Sequence, residues 1–396
     1  MLPLNPSLSR VSWKAIEVFA AIGIFFMPIS ETVAETGLLI AVVLWAARKF
    51  PWDEKFSPDP LLFWSYALFM ATAAASFAAV PHELWGTAFR GIFKWSKFFL
   101  VFFMMSELCG DRAAARRLLG FFLASVGVAT ANGYVQLIAG RDLIKGFLLD
   151  VPGLHVRMRG AFPSPNDFAA YLLLTLPIVF ERFTAEKRWN ARSVLWVAFL
   201  TLLAGALVSA LSRGAVLALG ASVVLWAVLA RRPAVIAVAL VSALPLMLSP
   251  MLRHTFLLSF LANDLTVAER ISYWQTTLRM IRAHPFLGNG INLFTALFSS
   301  FAPEGQTYRG YAHNCYLQVW AETGVFGFLA FLAPVAAFFA RQARRREGGL
   351  KGAIFCALTA FLFQSFIDTN FYSFQPAHAF WFLWGAYHAL NRGERA

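Results

Sequence analysis

Apolar residues are grouped along the chain in long blocks, and short polar or charged stretches separate one block from the next. Several blocks are shorter than the ~20 residues that a helix needs to cross hydrocarbon, so flanking residues or buried half-spans must complete them. The pattern predicts an all-α, polytopic integral membrane protein with about 12 transmembrane helices. The apolar segments are 11–29, 33–47, 61–79, 91–108, 118–139, 168–180, 194–210, 215–230, 234–248, 315–340, 353–367 and 377–390.

The composition agrees with this pattern. Hydrophobic residues make up 59% of the chain and charged residues only 14%, whereas a soluble domain is nearer a quarter charged. The first apolar stretch has no small-residue cleavage signature after it, so we interpret it as a retained span and not as a signal peptide. The three cysteines are odd in number and match neither a disulfide framework nor a metal site.

The positions of Lys and Arg orient the spans. With the amino terminus inside, the inner loops 48–55, 112–117, 182–192, 231–232 and 341–351, together with the two tails, hold 21 of the 34 Lys and Arg residues. The positive-inside rule favours this orientation, with an even number of spans and both termini in the cytoplasm. Much of the net charge of +13 therefore reflects membrane topology and not nucleic-acid binding.

Two substantial loops then face the outside, at 140–166 and at 249–314. We expect a single transmembrane domain over 1–396, without a repeat or a separate soluble domain. The longer loop carries helical signals: the capping-box form Thr266-Val-Ala-Glu269, a helix over 270–283, a stop at His284-Pro285 and a turn at Gly288-Asn289-Gly290, followed by a short second helix. An apolar stripe on the first helix is expected to pack on the membrane core, an ordinary interfacial helix being the alternative; it comprises Ile271, Trp274, Leu278 and Ile281.

Lys and Arg residues that lie away from the predicted inner side are unexpected under the positive-inside rule, so their positions need an explanation. Arg90, Lys94 and Lys97 follow one another at i, i+4 and i+7, so they share one helix face. A charge within the hydrocarbon costs ~3 kcal/mol on insertion scales, which makes a lipid-facing stripe unfavourable. Two interpretations stay open: the stripe lines a cavity that holds an anion, such as a substrate or lipid phosphate, or it snorkels to headgroups.

Further arginines lie in the outer loops. Arg157 and Arg159 end the first loop, Arg213 lies in a Ser-Arg-Gly turn between two spans, and Arg270 begins the amphipathic stretch. Asn166 stands where it can cap the next span. The planar guanidinium binds phosphate bidentately and keeps its charge at any relevant pH, so several such groups around one cavity suit a diphosphate.

His313 precedes Asn314 at the outer start of the tenth segment. An imidazole titrates near neutral pH and can accept a proton from a hydroxyl nucleophile. The alternative is an interfacial or hydrogen-bonded histidine without chemistry. The sequence contains no HExxH, DxD or CxxC motif and no Gly-rich phosphate loop, so neither a metal nor a nucleotide site has motif support.

Together these stretches resemble the O-antigen ligase and O-antigen polymerase superfamily of bacterial membrane glycosyltransferases. The resemblance is strong over 157–332, and its most specific motif begins at His313. It rests on RGAFPSPNDFAAYL from Arg159, SRGA from Ser212, ERISYW and HPFLGNGINLF within 269–294, and HNCYLQVWAETGVFG from His313.

The resemblance implies a fold similar to GT-C-type glycosyltransferases, with a large periplasmic loop, in the bacterial inner membrane. It implies a donor glycan on undecaprenyl diphosphate and, for a ligase, transfer to a sugar of lipid A-core in lipopolysaccharide biosynthesis, without cofactor, metal or nucleotide. His313 would be the base in a periplasm-facing site, and direct attack would invert the anomeric centre. Arg159, Arg213 and Arg270 would hold the diphosphate, with Arg157 as a further contact, and Asn166, Asn314 and Glu322 would give structural support.

Three alternatives remain. A polymerase of the same superfamily would use a second lipid-linked glycan as acceptor, and the loop 140–166 is long enough to allow it. A protein O-oligosaccharyltransferase often carries an additional soluble carboxy-terminal region, which this sequence does not show. A transporter of lipid-linked or anionic solutes belongs to a different class and predicts inverted repeats. The single long loop that ends in His313 favours the ligase.

Overall fold

A computed structural model describes residues 11–49, 56–150, 156–229, 231, 265–304 and 310–392. Within these ranges the chain forms helices and no β-strand, which confirms the all-α prediction. Two isolated antiparallel bridges, Arg141 with Leu148 and Asp150 with Arg157, fold the first loop back on itself.

The α-helices are numbered in chain order. Within the described residues, the 3₁₀ helices Ser76–Ala79, His82–Leu84 and Asn370–Tyr372 join them. The α-helices are α1 Trp13–Phe26, α2 Glu31–Lys49, α3 Pro60–Ala75, α4 Trp85–Leu108, α5 Arg112–Ala139, α6 Pro165–Leu173, α7 Leu176–Thr184, α8 Ala191–Ser209, α9 Arg213–Leu229, α10 Leu265–Ala283, α11 Phe294–Phe301, α12 Cys315–Arg345, α13 Gly349–Gln364 and α14 Phe374–Arg392.

Helices cover each apolar segment within the described ranges, and segment 234–248 lies outside them. The sixth segment is divided between α6 and α7, where Pro177 has no N–H to donate back along the helix. Among the described helices, α5, α8 and α12 are long and apolar enough to cross a membrane. The chain thus has the character of a membrane protein, while the count of twelve spans stays a prediction.

The last two helices form the centre of the bundle. Almost every residue of α13 and α14 is buried, including Phe361 and Trp381. Trp381 contacts Tyr66 of α3 and Phe102 of α4, so aromatic rings fill the space between these helices. Around this centre α4 packs on α14, α9 on α13, and α3 on α12.

The basic loops that the sequence places on one side meet at one end of the bundle. Arg48 donates to the carbonyl of Val11, and Arg392 donates to the carbonyl of Ser57. Arg341 Nη2 lies 3.9 Å from Asp59 Oδ2. His313 lies two residues before the start of α12 and Arg345 ends this helix, so His313 lies at the opposite end.

The long loop that the sequence places outside contains, in its described part, the two helices that its sequence predicts, α10 and α11. Helix α10 ends at Ala283, as expected before His284-Pro285, but it begins earlier than 270. The side chains that would form the capping box lie partly outside the described residues. Of the predicted apolar stripe, Ile281 is buried together with Met280 against α11 and α12, whereas Ile271 and Leu278 are exposed. The packing of the stripe on the membrane core stays a prediction.

Candidate active site

His313 and Asp368 are paired at the amino-terminal end of α12. Nδ1 of His313 lies 3.4 Å from Oδ1 of Asp368, and the two side chains are 32% and 13% exposed. Tyr273 of α10 stacks beside the imidazole, with ring centroids 6.2 Å apart and planes at 27°. With a proton on Nδ1 facing the carboxylate, Nε2 of His313 is the ring atom left to accept a proton.

The backbone around His313 explains this placement. Asn314 is the N-cap of α12, and its side chain accepts a hydrogen bond from the backbone N–H of Leu317 at 3.0 Å. The expected supporting role of Asn314 therefore has a local cause. His313 itself has a φ of 48°, a left-handed conformation that is uncommon outside glycine. The chain thus turns sharply at His313 before the helix begins.

Asp368 follows α13 in a short connection to α14. Its Oδ1 accepts from the backbone N–H of Thr369 at 2.9 Å, and its carbonyl accepts from that of Cys315 at 3.2 Å. Burial raises the pKa of the Asp368 carboxyl, but His313 and the charge of Arg270 outweigh it and hold the pKa below its ordinary value of 3.8. The carboxylate is therefore charged at neutral pH.

Arg157 lies in the same cluster of charges. Its Nε donates to the carbonyl of Ala210 at 3.1 Å, and its Nη1 lies 3.7 Å from Asp150 Oδ2. Burial lowers the pKa of this guanidinium; Asp150 and Asp368 oppose that effect, whereas Arg270 and Arg213 add to it. Asp368, Arg213 and Arg270 are thus close enough to Arg157 to affect its pKa.

Arg213 is the first residue of α9, and the glycine after it fixes where this helix end lies. A Cβ on Gly214 would lie 2.3 Å from Cδ1 of Ile367, the residue immediately before Asp368. The close approach explains why a Ser-Arg-Gly turn occurs here. It brings the start of α9 against the connection that carries Asp368.

Arg159 has a different surrounding from Arg157. Its guanidinium donates to the carbonyls of Leu148 and Pro163 at 3.1 and 3.2 Å and lies 4.8 Å from the centroid of the Phe147 ring. These contacts close the first outer loop. Its role at a diphosphate stays a prediction, and the contacts favour a role in loop structure.

The cap before α6 is also not the expected one. Ser164 is the N-cap, and its hydroxyl accepts from the backbone N–H of Asp167 at 3.1 Å. Asn166 lies within the first turn, because the helix already begins at Pro165. The Asn166 side chain instead accepts from Nη2 of Arg157 at 3.0 Å, so it supports that arginine.

The basic stripe on α4 is divided among different partners. Lys97 pairs with Glu35 of α2, and Arg90 is exposed and donates to Thr87 Oγ1 at 2.9 Å. Lys94 donates to the carbonyl of Tyr372 at 2.7 Å and lies 5.1 Å from the centre of that ring. Lys94 thus contacts Tyr372 in the connection that also carries Asp368. Binding of one common anion by all three basic residues remains a prediction.

Glu322 is buried and accepts hydrogen bonds from three other parts of the site. Its Oε2 accepts from the Tyr372 hydroxyl and the backbone N–H of Asn292, both at 3.0 Å, and its Oε1 accepts from Gln318 at 3.1 Å. These bonds tie α12 to the turn after α10 and to the connection after α13. The expected structural role of Glu322 therefore has visible partners.

Two glycines let the HPFLGNG stretch meet the kink in α12. Gly324 has a non-helical φ of 67°, and a Cβ there would lie 2.1 Å from the carbonyl oxygen of Phe286. A Cβ on Gly288, whose φ is 74°, would lie 2.4 Å from the carbonyl of Glu322. The backbone of Asn289 donates to the Ala321 carbonyl at 2.8 Å. The two motifs interlock through their backbones.

Sequence reasoning did not find Asp368. An acidic residue at the outer end of an apolar segment was the available signal, because a carboxylate at that depth needs a partner. Distance along the chain hid the relationship, since 55 positions separate Asp368 from His313.

A family model described as O-antigen ligase matches residues 196–332. The matched range covers about a third of the chain and includes Arg213, Arg270 and His313, while Arg157 and Asp368 lie on either side of it. A search of curated proteins gave no match. The match falls on the motifs that meet around His313, and this part of the chain is therefore similar to the O-antigen ligase family.

Proposed function

We propose that this protein is an O-antigen ligase that transfers a glycan from undecaprenyl diphosphate to a sugar hydroxyl of lipid A-core at the periplasmic face of the inner membrane. The observation that carries the proposal is the His313–Asp368 pair beside Arg157, Arg213 and Arg270. This arrangement combines a proton acceptor with a concentration of positive charge, which suits a reaction whose leaving group is a diphosphate.

The arginines act on the donor. When the bond from the anomeric carbon to the diphosphate oxygen breaks, both electrons of that bond leave with the diphosphate, whose negative charge grows. Arg213 and Arg270 bind this leaving group, and their fixed charges stabilise the transition state more than the ground state. Arg157, held by Ala210 and Asn166, adds to the local positive potential.

The histidine acts on the acceptor. Nε2 of His313 takes the proton of the attacking hydroxyl as the new carbon–oxygen bond forms, and Asp368 stabilises the resulting imidazolium. Asp368 is a positioning residue in this scheme, because it contacts His313 and not the substrate. Attack on the face opposite the diphosphate inverts the anomeric centre.

The test uses purified protein in detergent with undecaprenyl diphosphate-linked glycan and lipid A-core. We expect a ladder of glycan-bearing lipopolysaccharide with wild type and none with folded His313→Ala. Longer lipid-linked chains formed without lipid A-core would instead identify a polymerase. Neither product from folded wild-type protein, together with uptake of a lipid-linked or anionic solute in vesicles, would favour a transporter.

A further inference from the structure

The hairpin that follows α5 exposes large apolar side chains. It comprises residues 140–149, and the bridge between Arg141 and Leu148 closes it. Leu143 and Leu148 are 74% and 67% exposed, and Ile138 in the last turn of α5 is 88% exposed. Exposed apolar side chains concentrated in this way mark a surface that contacts a protein, a ligand or a membrane. The construction of the hairpin and its position decide among these.

The hairpin has a polar interior. Asp142 is buried within it, and its Oδ1 accepts hydrogen bonds from the backbone N–H groups of Ile144 and Lys145 at 2.9 and 2.8 Å. The N–H of Asp142 donates in turn to the carbonyl of Phe147 at 3.0 Å. The turn of the hairpin thus satisfies, from within the protein, main-chain groups that would otherwise need water.

Two buried amide side chains of α5 bind further main-chain groups of the hairpin. Oδ1 of Asn132 accepts from the N–H of Leu143 at 2.9 Å, and Nε2 of Gln136 donates to the carbonyl of Leu148 at 3.3 Å. Both leucines therefore have a main-chain group bonded inside the protein while their side chains are exposed. An element with polar groups inside and apolar side chains outside suits a lipid environment better than water.

Helix α5 identifies the lipid bilayer as the partner of this surface. The helix is long and apolar enough to cross a membrane. At 3.6 residues per turn, its exposed apolar residues fall within about 100° of one another around the helix axis. These residues are Phe121, Ala124, Val128, Ala131 and Ile138. The hairpin begins where this apolar side of the spanning helix ends, so the two form one continuous surface.

We propose that the hairpin lies in the interfacial region of the membrane and inserts Leu143 and Leu148 among the lipids of the leaflet nearest to His313. Charged residues limit its depth. Nζ of Lys145 lies 2.8 Å from Oε1 of Glu31 at the start of α2, and Arg141 is exposed. Charges are costly in the bilayer centre, whereas Lys and Arg close to the interface extend to the headgroups. Only the leucine side chains therefore reach the acyl chains.

The hairpin is joined to the candidate active site. The N–H of Arg157 donates to the carbonyl of Asp150, immediately after the hairpin, at 2.7 Å. Contact with the membrane surface then holds Arg157 at the level of the lipid headgroups, where the diphosphate of a lipid-linked donor lies. This consequence rests on the proposed function, whereas the membrane contact itself does not.

The test places a fluorescent probe at single sites of the purified protein in liposomes. Leu143→Cys and Leu148→Cys carry the fluorophore; the native cysteines are buried, and labelling of wild type measures their background. We expect blue-shifted emission and strong quenching by lipids that carry a nitroxide near the headgroup. Glu304→Cys, at an exposed residue of the loop 249–314, is the control and should emit as in water. Val128→Cys on α5 should be quenched by a nitroxide deep in the acyl chain.

Two results would overturn the proposal. Probes at Leu143 and Leu148 that behave like the probe at Glu304 would show a hairpin in water. Probes that are shielded from water but not quenched by nitroxide lipids would show that a second copy or another protein covers the hairpin. None of these measurements uses the transfer reaction, so failure of the proposed function would leave them unaffected.

A second substitution assigns the contact to the apolar side chains. In a Leu148→Asp background the probe at Leu143 should lose its lipid quenching, whereas a Glu304→Gln background should leave that quenching unchanged. Both replaced side chains are exposed, so both variants should fold, which size-exclusion chromatography checks. Undiminished quenching in folded Leu148→Asp protein would contradict insertion of the hairpin through its leucines.

Discussion

Nδ1 of His313 and Oδ1 of Asp368 lie 3.4 Å apart although 55 positions separate the two residues in the sequence. Their approach depends on the backbone, because the N–H of Cys315, two residues after His313, donates to the carbonyl of Asp368. The start of α12 and the end of α13 are therefore joined at the pair itself. A fixed carboxylate on one nitrogen orients the imidazole, and in the proposed reaction the other nitrogen is the proton acceptor.

Replacement of His313 tests the proton acceptor. We expect His313→Ala to lower kcat by about 10²–10⁴-fold, the usual contribution of a general base, while the KM for the lipid-linked donor changes little. His284→Ala is the matched control, since His284 is an exposed histidine of the same outer loop. A folded His313→Ala variant with wild-type kcat would exclude the base assignment.

Replacement of Asp368 tests positioning. Asp368→Asn keeps the size of the side chain but removes the charge that orients and stabilises the imidazolium, so kcat should fall at least about tenfold with little change in KM. Steady-state kinetics on the purified ligation reaction measure both constants. In the double variant with His313→Ala, the Asp368 change should have no further effect. Additive losses would mean that Asp368 acts independently of His313.

The low pKa of Asp368 has a consequence for stability. A carboxyl whose pKa is lower folded than unfolded stabilises the protein above its unfolded pKa, and this contribution is lost as the pH falls through the folded pKa. Wild type should therefore exceed Asp368→Asn in unfolding temperature at pH 7, and the difference should narrow below about pH 4. Thermal unfolding in detergent at several pH values measures it. If the difference in unfolding temperature between wild type and Asp368→Asn stayed constant with pH, the lowered pKa of Asp368 would be contradicted.

The helical class and most helix positions could be predicted from the sequence, because apolar blocks of this length have few alternatives. The break between α6 and α7 has a local signal in Pro177, which the run of apolar residues obscured. The packing of α10 had no local signal in the sequence. Its exposed Ile271 and its buried Thr276 depend on where α11 and α12 lie, which the periodicity of a single helix does not contain.

The site was predictable where a motif is continuous in sequence. His313 and Asn314 belong to one short stretch, and the structure gives both a defined place at the start of α12. The resemblance assigned the diphosphate to Arg159 ahead of Arg157, but the sequence itself does not distinguish the two arginines, because both lie at the end of the same loop. Only their partners differ: Arg157 lies near Asp368, whereas Arg159 donates to two loop carbonyls.

The arginines can be separated by experiment. Arg270→Gln should lower kcat, because the guanidinium stabilises the transition state, and should also raise the KM for the diphosphate-linked donor roughly 10- to 100-fold, the cost of losing hydrogen bonds to a charged group. Arg270→Lys should restore only part of this affinity, because an ammonium lacks the planar fork. Arg282→Gln, an exposed arginine of the same helix, is the control and should keep the wild-type KM.

Arg159→Gln should behave differently from Arg270→Gln. Its guanidinium holds the carbonyls of Leu148 and Pro163, so we expect a lower unfolding temperature with a nearly unchanged donor KM. Donor titrations and thermal unfolding of the same preparations distinguish the two roles. If Arg159→Gln raised the donor KM and kept the wild-type unfolding temperature, Arg159 would have to be assigned to diphosphate binding and not to loop structure.

The interlocked turn and kink predict which glycines the fold requires. Gly324→Ala places a Cβ 2.1 Å from the carbonyl oxygen of Phe286 at a φ of 67°, so the added methyl group and the strained backbone should together cost several kcal/mol. Gly220→Ala is the control, because it lies in α9 with nothing within 4 Å of its Cβ position. Size-exclusion profiles and unfolding temperatures should show loss of folded protein for Gly324→Ala and none for Gly220→Ala. Equal behaviour of the two variants would mean that the backbone contact between HPFLGNG and α12 is not needed for folding, and that the two motifs are brought together in another way.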